Sequence, residues 1–221
     1  MKKETLQKVL SLNLKGKSMS IEGGDGGGKG TLITGLEQVL SQIENLQILW
    51  TREPGGVKIS EQIRKIILDV DNEEMCPETE ALLYSASRAQ LMHQLIFKNL
   101  KEEKFVILDR FVDSSLVYQG IARDLGVENI KSINNFATRK WLPNLTVVLD
   151  LDPKIAQERV KSRGNEDRLD KEKLAFHETV RDGYLTLKEI YPERIFIVDA
   201  NQEPEAVLED VLKVMVAVLG K

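Results

Sequence analysis

A glycine-rich segment near the N-terminus holds the residues with the clearest chemistry. It contains Gly23, Gly24, Asp25, Gly26, Gly27, Gly28, Lys29, Gly30 and Thr31. Backbone N–H groups can converge on a phosphate only where the chain turns tightly, which glycine permits because it has no Cβ atom. A lysine beside such a loop supplies a full positive charge for the β- and γ-phosphates. The segment therefore predicts a nucleoside triphosphate site.

The spacing departs from the G-x-x-x-x-G-K-[ST] signature at one position. Gly23, Gly28 and Lys29 meet it, but Gly30 stands where a Mg²⁺-binding hydroxyl is expected. The spacing is similar to the loop of adenylate kinase and other nucleoside monophosphate kinases, where phosphates and water hold most of the Mg²⁺ coordination. A glycine linker with a stray lysine is the alternative, which the strand-like run before the loop and the helical periodicity after it disfavour.

An acid and an arginine follow a strand of unbroken apolar residues, at positions 105–108. Such a run indicates a strand that is buried on both faces of a parallel sheet. Asp109 would then lie at the sheet edge beside the glycine loop, where phosphate-transfer enzymes place the carboxylate that steers Mg²⁺. Arg110 follows directly and points to the other side of the strand end.

Three arginines surround a second glycine, farther along the chain. Arg159 and Arg163 are four residues apart on a helix that Gly164 ends, and Arg168 follows. Guanidinium groups bind phosphate oxygens in pairs and stay charged, as a lid over a nucleotide requires. A solvated run of charges would look similar, so the pattern alone leaves both interpretations open.

Tyr84 and Arg88 share one face of a helix that Pro77 opens. Periodicity alone favours a core position for Tyr84 and a surface position for Arg88. Neither His93 nor His177 has neighbours in the sequence that suggest metal binding.

The order of the elements predicts an α/β fold. Runs typical of strands at 19–22, 46–51, 105–110, 145–151 and 194–198 are separated by helical patterns, which indicates a doubly wound, five-stranded parallel sheet between two layers of helices. We expect residues 1–17 to be a helical extension and residues 18–221 to form a single domain, with a short lid at about 159–170.

Composition excludes several classes of protein. The 221 residues carry a formal net charge of −4, which argues against a general nucleic-acid binder. The single cysteine, Cys76, excludes an internal disulfide and fits a reducing compartment. No apolar run approaches the ~18 residues that a membrane span needs. We therefore predict a cytoplasmic protein that binds neither membrane nor nucleic acid.

From about residue 19 onward, the sequence resembles bacterial thymidylate kinases, which have the three-layer P-loop fold. The resemblance rests on Glu22-Gly-x-Asp-Gly-x-Gly-Lys29, Thr51-Arg-Glu-Pro-Gly-Gly56, the run from Glu80 to Gln90, Asp109-Arg-Phe-Val-Asp-Ser-Ser115 with Tyr118-Gln-Gly120, and Arg163-Gly-x-x-Asp-Arg168. The glycine loop alone would indicate only a nucleotide site, whereas the second and fourth motifs, in this order, are specific to that family.

The resemblance implies phosphorylation of dTMP to dTDP with Mg²⁺·ATP, in dTTP biosynthesis, by a cytoplasmic homodimer. It makes Gly23 to Thr31 the ATP-binding loop, with Lys29, Asp109, Arg110 and the lid arginines Arg163 and Arg168 as catalytic residues. Asp109 would hold Mg²⁺ through water. Asp25 would contact the 3′-hydroxyl of the acceptor, and Arg110 its phosphate.

The resemblance also implies which residues surround the acceptor. Arg52, Glu53 and Pro54 would line its pocket, Tyr84 would stack on thymine, and Arg88 would bond to a carbonyl of the base, which overrides the reading from periodicity. Ser115 and Tyr118 would border the base and the 2′ edge of the sugar, and Gln119 belongs to the same set. Gly30, Val57 and Phe111 depart from the commoner family pattern, and Gly30 could alter the dependence on Mg²⁺.

Two rival interpretations remain. A nucleoside monophosphate kinase could use another acceptor, such as dUMP or a purine nucleotide. A nucleotide-binding regulatory module that has lost catalysis would be a different class, although the retained Lys29, Asp109 and Arg110 weigh against it. A GTPase is disfavoured because the sequence has no Asn-Lys-x-Asp guanine motif.

Overall fold

The computed structural model describes residues 2–164 and 166–220, and its centre is a five-stranded sheet. The strands are β1 (Ser18–Gly23), β2 (Ile48–Arg52), β3 (Phe105–Asp109), β4 (Leu145–Asp150) and β5 (Ile195–Asp199). Their spatial order is β2-β3-β1-β4-β5, and every neighbouring pair is parallel. The predicted α/β fold with a five-stranded parallel sheet is confirmed.

Helices cover both faces of the sheet. They are α1 (Lys3–Leu10), α2 (Lys29–Leu40), α3 (Lys58–Leu68), α4 (Pro77–Leu91), α5 (Phe97–Lys101), α6 (Val112–Ser115), α7 (Val127–Thr138), α8 (Pro153–Arg163), α9 (Leu174–Ile190) and α10 (Pro204–Leu219). Two π-helical segments, Met92–Ile96 and Leu116–Ala122, continue α4 and α6. Single π-helical turns occur often at functional sites, and the second segment carries Tyr118 and Gln119.

The strands read as continuous apolar runs because both of their faces are buried. In β3, Ile107 belongs to the core on one side of the sheet, and Val106 and Leu108 belong to the core on the other. Side chains alternate along a strand, so a strand between two helical layers needs an apolar residue at every position. The first core includes α2 and α10, and the second includes α4 and α9.

The N-terminal helix α1 packs against the body of the protein. Val9 is fully buried in the core that α10 shares, and the backbone N–H of Lys2 donates to Glu209 at 2.8 Å. Within the described residues, no helix is long and apolar enough to cross a membrane.

The sheet brings the chemically active residues to one edge. β1 lies between β3 and β4, with Ile21 paired with Asp109 and Gly23 paired with Leu149. The glycine loop after β1 and the Asp109-Arg110 pair at the end of β3 are therefore neighbours. Ligands of open α/β sheets bind at this carboxyl edge.

Candidate active site

The loop between β1 and α2 needs glycine at specific positions. The φ angles of Gly26 and Gly28 are +79° and +90°, a region that other residues rarely adopt. A Cβ atom at Gly26 would lie 2.3 Å from the carbonyl oxygen of Ala156, at the neighbouring helix α8. The loop is thus shaped by backbone geometry and packs closely on α8.

Lys29 is the first residue of α2, and its side chain folds back across the loop. Its Nζ atom donates to the carbonyl oxygens of Gly23 at 3.1 Å and Gly24 at 2.9 Å, and only 8% of the residue is exposed. Burial, with the nearby Arg110 guanidinium, lowers the pKa of Lys29 from its usual value. The ammonium group is therefore fixed at the mouth of the loop.

A first pocket, which we call the loop pocket, opens above Lys29. Its lining consists of Asp25, Gly26, Gly28, Lys29, Gly30, Thr31, Asp109, Arg159 and Arg163. Arg159 also donates from Nη1 to the carbonyl oxygen of Gly26, at 3.4 Å. The structure thus brings together four of the predicted features: the glycine loop, Lys29, Asp109 and the lid arginine Arg163.

Asp109 suits a magnesium ion that is bound mainly by other groups. Its Oδ1 atom is buried and has no hydrogen-bond partner among the described residues. The same part of the chain contains no group of three or more His, Cys, Asp and Glu side chains that could hold a metal ion alone. Gly30 offers no hydroxyl, so a hydrated Mg²⁺ carried by phosphates fits this pocket better than a cage of protein ligands.

Arg110 lines a second pocket and contacts Asp25, which lines both that pocket and the loop pocket. Its φ is +67°, unusual for a residue with a side chain, and its backbone N–H donates to Ile21 at 2.9 Å. The guanidinium donates to Asp25 at 2.8 Å and to Ser114 at 3.2 Å, and it lies 5.3 Å from the centre of the Tyr118 ring. Burial alone would raise the pKa of Asp25, but Arg110 and Lys29 outweigh it and lower that pKa.

Glu22 positions the segment that follows Arg110 by accepting hydrogen bonds from it. The sequence analysis gave Glu22 no role beyond its place in a motif. The backbone N–H of Phe111 donates to its Oε1 at 2.7 Å, and Ser114 and Tyr184 donate to its Oε2. Burial and the nearby Asp113 raise the pKa of Glu22 to about 7. Its position before Gly23, in a buried strand, was the only signal that the sequence offered.

The second pocket, which we call the side-chain pocket, has a volume of about 510 Å³. Its lining consists of Asp25, Glu53, Pro54, Arg64, Leu68, Tyr84, Arg88, Arg110, Ser114, Ser115, Tyr118, Gln119, Asp167 and Leu169. Nine of the ten residues predicted around the acceptor are among them, and the lining as a whole comes from six separate stretches of the chain.

Arg88 is the most heavily bonded residue of this pocket and is only 1% exposed. Its Nε donates to Glu53 at 2.7 Å, and Nη1 donates to Ser115 at 3.0 Å and also to Asn134. Nη2 donates to the carbonyl oxygen of Phe111 at 3.0 Å and also contacts the Glu53 carboxylate. The surface position that periodicity favoured is wrong, because a buried carboxylate compensates the buried guanidinium.

Two polar atoms of this pocket remain open to a ligand. The hydroxyl of Tyr118 and the Oε1 atom of Glu53 are buried and have no partner among the described residues. Unpaired buried polar atoms are costly, so they usually meet water or a ligand. Tyr84 is half-buried in the same wall, and burial raises the pKa of its phenol.

Arg52 is the predicted acceptor residue that the pocket lacks. Its guanidinium pairs with Glu61 at 3.0 Å, and half of the residue is exposed. Arg64 of α3 is in the pocket instead and donates to the carbonyl oxygen of Pro54 at 2.8 Å. Arg64 lies one turn after the buried Ser60, so helical periodicity could have placed it on the inward face.

Arg168, which was predicted as a lid arginine, does not line the loop pocket. Its Nη2 donates to Glu80 at 2.5 Å and its Nε donates to the carbonyl oxygen of Ile67 at 2.9 Å, so it is not in the loop pocket. A buried carboxylate holds it there. In this structure the arginines of the loop pocket are Arg159 and Arg163.

A third cavity lies on the other side of the loop, between α8 and α9. Its lining includes Gly24, Asp25, Asp170, His177 and several apolar side chains. His177 is half-buried, and its Nε2 has no partner among the described residues. Neither Lys29 nor Arg110 lines this cavity, so we give it no part in the chemistry of the two pockets above.

The carboxyl edge of the parallel sheet carries a P-loop with a buried lysine, and a second pocket shares Asp25 with the loop pocket. This arrangement defines a phosphotransferase of the nucleotide kinase class. The loop pocket suits a nucleoside triphosphate, and the side-chain pocket suits a smaller acceptor with an anionic end.

Comparison with known proteins specifies the class further. The sequence profile of the family described as Thymidylate kinase matches residues 21–211. The thymidylate kinase of Lactobacillus helveticus is 48% identical over 213 residues, which is 94% of this chain and 97% of that one. The enzyme of Clostridium novyi is 47% identical over 200 residues, covering 89% and 97%. This chain belongs to the thymidylate kinase family.

A solved structure agrees with this assignment. The crystal structure of thymidylate kinase from Ehrlichia chaffeensis superimposes with a TM-score of 0.75, at 26% identity, and covers 90% of this chain and 98% of that one. The fold and family that the resemblance implied are therefore confirmed.

Proposed function

We propose that this protein transfers the γ-phosphoryl group of ATP to dTMP, giving ADP and dTDP for dTTP synthesis. One observation carries the proposal. The P-loop pocket around Lys29 and the side-chain pocket around Arg88 share Asp25, and Arg110 of the side-chain pocket donates to Asp25 at 2.8 Å, so donor and acceptor phosphates would face each other there. Membership of the thymidylate kinase family supports both substrates.

The transfer step needs alignment and charge neutralisation. An oxygen of the dTMP phosphate forms a bond to the γ-phosphorus while the bond from that phosphorus to the β–γ bridging oxygen breaks, and ADP leaves. The attacking oxygen is already anionic, so no general base is required. Catalysis then consists of holding two mutually repelling anions in line and neutralising the charge between them.

Lys29 and Arg110 are placed for this task. Lys29 would bind the transferred phosphoryl group, since its ammonium is held across the glycine loop. Arg110 would bind the acceptor phosphate, with Asp25 and Ser114 fixing its guanidinium. Asp25 lines both pockets, which supports a contact with the 3′-hydroxyl of dTMP.

Magnesium belongs to the same proposal. Asp109 would hold the ion through water, because its buried Oδ1 is unpaired and lies at the loop pocket. When bound with ATP, Mg²⁺ neutralises charge on the β- and γ-phosphates. The protein's part is to orient that hydration shell with a fixed carboxylate.

The side-chain pocket would select thymine and deoxyribose. Tyr84 would stack on the base, while Glu53, Pro54, Ser115 and Gln119 would close the wall around it. The five N–H groups of Arg88 already have protein partners, so a base carbonyl would share one of them. The free hydroxyl of Tyr118 supports a contact at the sugar edge.

Arg163 would act as the lid arginine over the donor phosphates, because it is in the loop pocket. Arg159 is beside it, anchored to Gly26. The loop itself carries no arginine, so a cation for the developing charge must come from the lid. An arginine in such a position is worth ~10³-fold or more in rate.

A coupled assay of ADP release with Mg²⁺·ATP tests this function. The acceptors dTMP, dUMP, dCMP, dAMP and dGMP are measured separately, and we expect a strong preference for dTMP. Preference for another nucleotide would keep the phosphate chemistry and refute the acceptor assignment. Binding without turnover of any acceptor would favour the regulatory-module interpretation.

We also propose a cytosolic homodimer built on a single domain of residues 18–221, as the resemblance implies. An apolar side chain supports the dimer, because Phe136 of α7 is 89% exposed beside the groove between α5 and α7. A second copy of the chain would cover it. Light scattering should give about twice the 25.0 kDa of the chain, and Phe136→Asp should shift the population to monomer. A monomeric wild-type protein would contradict the proposal.

A further inference from the structure

We propose that Glu80 is a positioning residue that couples the lid to the acceptor pocket by binding Arg168. The inference rests on the proposed function, since it concerns how the lid is held during transfer. Glu80 belongs to a motif of the resemblance, yet none of the roles above uses it. We call residues 166–172, which comprise the last part of the lid and the turn before α9, the return segment.

The Glu80 carboxylate is a buried hub with three donors. The residue is only 1% exposed, and it accepts hydrogen bonds from Gln119 at 2.8 Å, Arg123 at 3.2 Å and Arg168 at 2.5 Å. Burial alone would raise the pKa of Glu80, but the hydrogen bond from Gln119 and the charge of Arg123 outweigh it and lower that pKa. The carboxylate is therefore ionised, as two guanidinium partners require.

Arg168 links the return segment to two helices at once. Its side chain reaches Glu80 at the start of α4, and its Nε donates to the last turn of α3 at Ile67. Its backbone N–H also donates to the carbonyl oxygen of Leu68, at 3.3 Å. The last part of the lid is thus bonded to the end of α3 and the start of α4.

Arg123 adds a second link from Glu80 to the same segment. Its guanidinium pairs with Glu172 at 2.7 Å and lies 4.7 Å from the centre of the Phe176 ring. One buried carboxylate therefore holds the return segment at two points, directly at Arg168 and through Arg123 at Glu172.

The acceptor pocket shares this carboxylate. Gln119, which donates to Glu80, is part of the pocket wall, and so are Asp167 and Leu169 on either side of Arg168. A bound acceptor would contact this wall and therefore the return segment, whose position Glu80 fixes. Arg163, in the loop pocket, lies five residues before Arg168 in the chain. Glu80 thus joins acceptor binding to the placement of the lid arginine.

Replacing the carboxylate by an amide keeps its shape but removes its charge. In Glu80→Gln, Arg123 and Arg168 would lose a buried anionic partner, and burying unpaired charges is strongly unfavourable. We expect the return segment to detach and Arg163 to lose its position. The loss should appear in kcat, since the lid acts on the transferring group rather than on ground-state binding.

The test combines kinetics with hydrogen exchange on the full chain. The variants are Glu80→Gln, Arg168→Gln, their double variant, and Arg168→Lys, which retains the charge. Glu78→Gln is the matched control, because it removes the same charge from an exposed position in the first turn of α4. Exchange of the amides in residues 166–172 is measured without nucleotide and with dTMP.

We expect kcat with dTMP to fall about 10- to 100-fold in Glu80→Gln and Arg168→Gln, and the double variant to be no slower than the slower single variant. Arg168→Lys should recover part of the loss, and Glu78→Gln should stay within about twofold of wild type. Exchange in residues 166–172 should be faster in Glu80→Gln, and dTMP should protect these amides only in the wild type.

Three results would overturn the inference: near-wild-type kcat in Glu80→Gln, multiplicative losses in the double variant, or unchanged exchange in residues 166–172. If the wild type phosphorylates no nucleoside monophosphate, the proposed function fails, and the exchange comparison without nucleotide still decides whether Glu80 holds the segment. If Glu80→Gln does not fold, a comparison of Arg168→Gln with Arg168→Lys decides the same question. Equal kcat and equal exchange rates in these two variants would contradict the inference.

Discussion

The two pockets of this kinase are formed by different kinds of structural element. The loop pocket is built on a glycine-rich backbone loop and the first turn of α2, with Lys29, the strand-end acid Asp109 and the two arginines of α8 around it. The side-chain pocket is made of buried, mutually bonded side chains from six stretches of the chain. A phosphate chain is alike in every nucleotide, so a local loop can bind it. A base and a sugar require a shaped wall, which only tertiary packing supplies.

This difference predicts that substitutions in the two pockets have different effects on kinetics and stability. A change in the loop pocket should reduce transfer and leave the acceptor bound, whereas a change in the Arg88 network should weaken acceptor binding and the fold together. The predictions below separate the two, beginning with the largest effect.

Lys29→Ala should reduce kcat by ~10³-fold or more, because it removes the charge that neutralises the transferring phosphoryl group. The coupled ADP-release assay measures this. Lys58→Ala is the matched control, since Lys58 is also the first residue of its helix but is exposed. Near-normal turnover in Lys29→Ala would refute its catalytic role.

Arg88→Lys should raise the KM for dTMP by ~10- to 100-fold and leave the KM for ATP almost unchanged. A lysine cannot serve Glu53, Ser115 and the carbonyl oxygen of Phe111 at the same time. We also expect the free energy of unfolding to fall by ~2 kcal/mol, since lysine keeps the charge opposite Glu53 but leaves buried acceptors of the network without a donor. Denaturant titration and steady-state kinetics check both values, and an equal rise in both KM values would contradict the separation.

Glu22→Gln should change how stability depends on pH. The pKa of Glu22 is about 7 in the folded chain against an ordinary 4.5, so the folded state binds more protons between these values and its stability falls as pH rises through that window. The Glu22 contribution amounts to ~3 kcal/mol over the window. Unfolding titrations from pH 4.5 to 8 should show wild type losing stability relative to Glu22→Gln, and parallel curves would refute the raised pKa.

Gly26→Ala should lower the free energy of unfolding by ~1–3 kcal/mol, because the new Cβ would meet the carbonyl oxygen of Ala156 at a positive φ angle. Gly24→Ala is the control for stability, since a Cβ at Gly24 meets nothing within 4 Å. Equal melting temperatures for the two variants would show that the loop can move away from α8.

Sequence reasoning succeeded in proportion to how local each feature is. The glycine loop, Lys29 and the strand-end acid Asp109 could be predicted because sequence neighbours create their geometry. Arg88 was assigned to the surface by periodicity, since Glu53, its buried partner, is 35 residues away. The resemblance to a family corrected that position, but it could not show that all five N–H groups of Arg88 already have partners.

The same reasoning explains the predictions that the structure does not support. Arg52 and Arg168 match family motifs, yet each pairs with a glutamate that no local pattern links to it, Glu61 and Glu80. Arg64 was not predicted because it lies ten residues after the Arg-Glu-Pro motif, which pointed to Arg52. Glu22 offered only its position before Gly23 as a signal, because its role depends on hydrogen bonds from Ser114 and Tyr184, which lie in distant segments of the chain.

Calorimetric titration of dTMP into Lys29→Ala, beside wild type, tests the central claim most directly. If the loop pocket serves transfer and the side-chain pocket serves acceptor binding, the dissociation constants should agree within about threefold, even though turnover is lost. A large loss of dTMP affinity in Lys29→Ala would mean that the two pockets act as one, and the division of labour proposed here would be wrong.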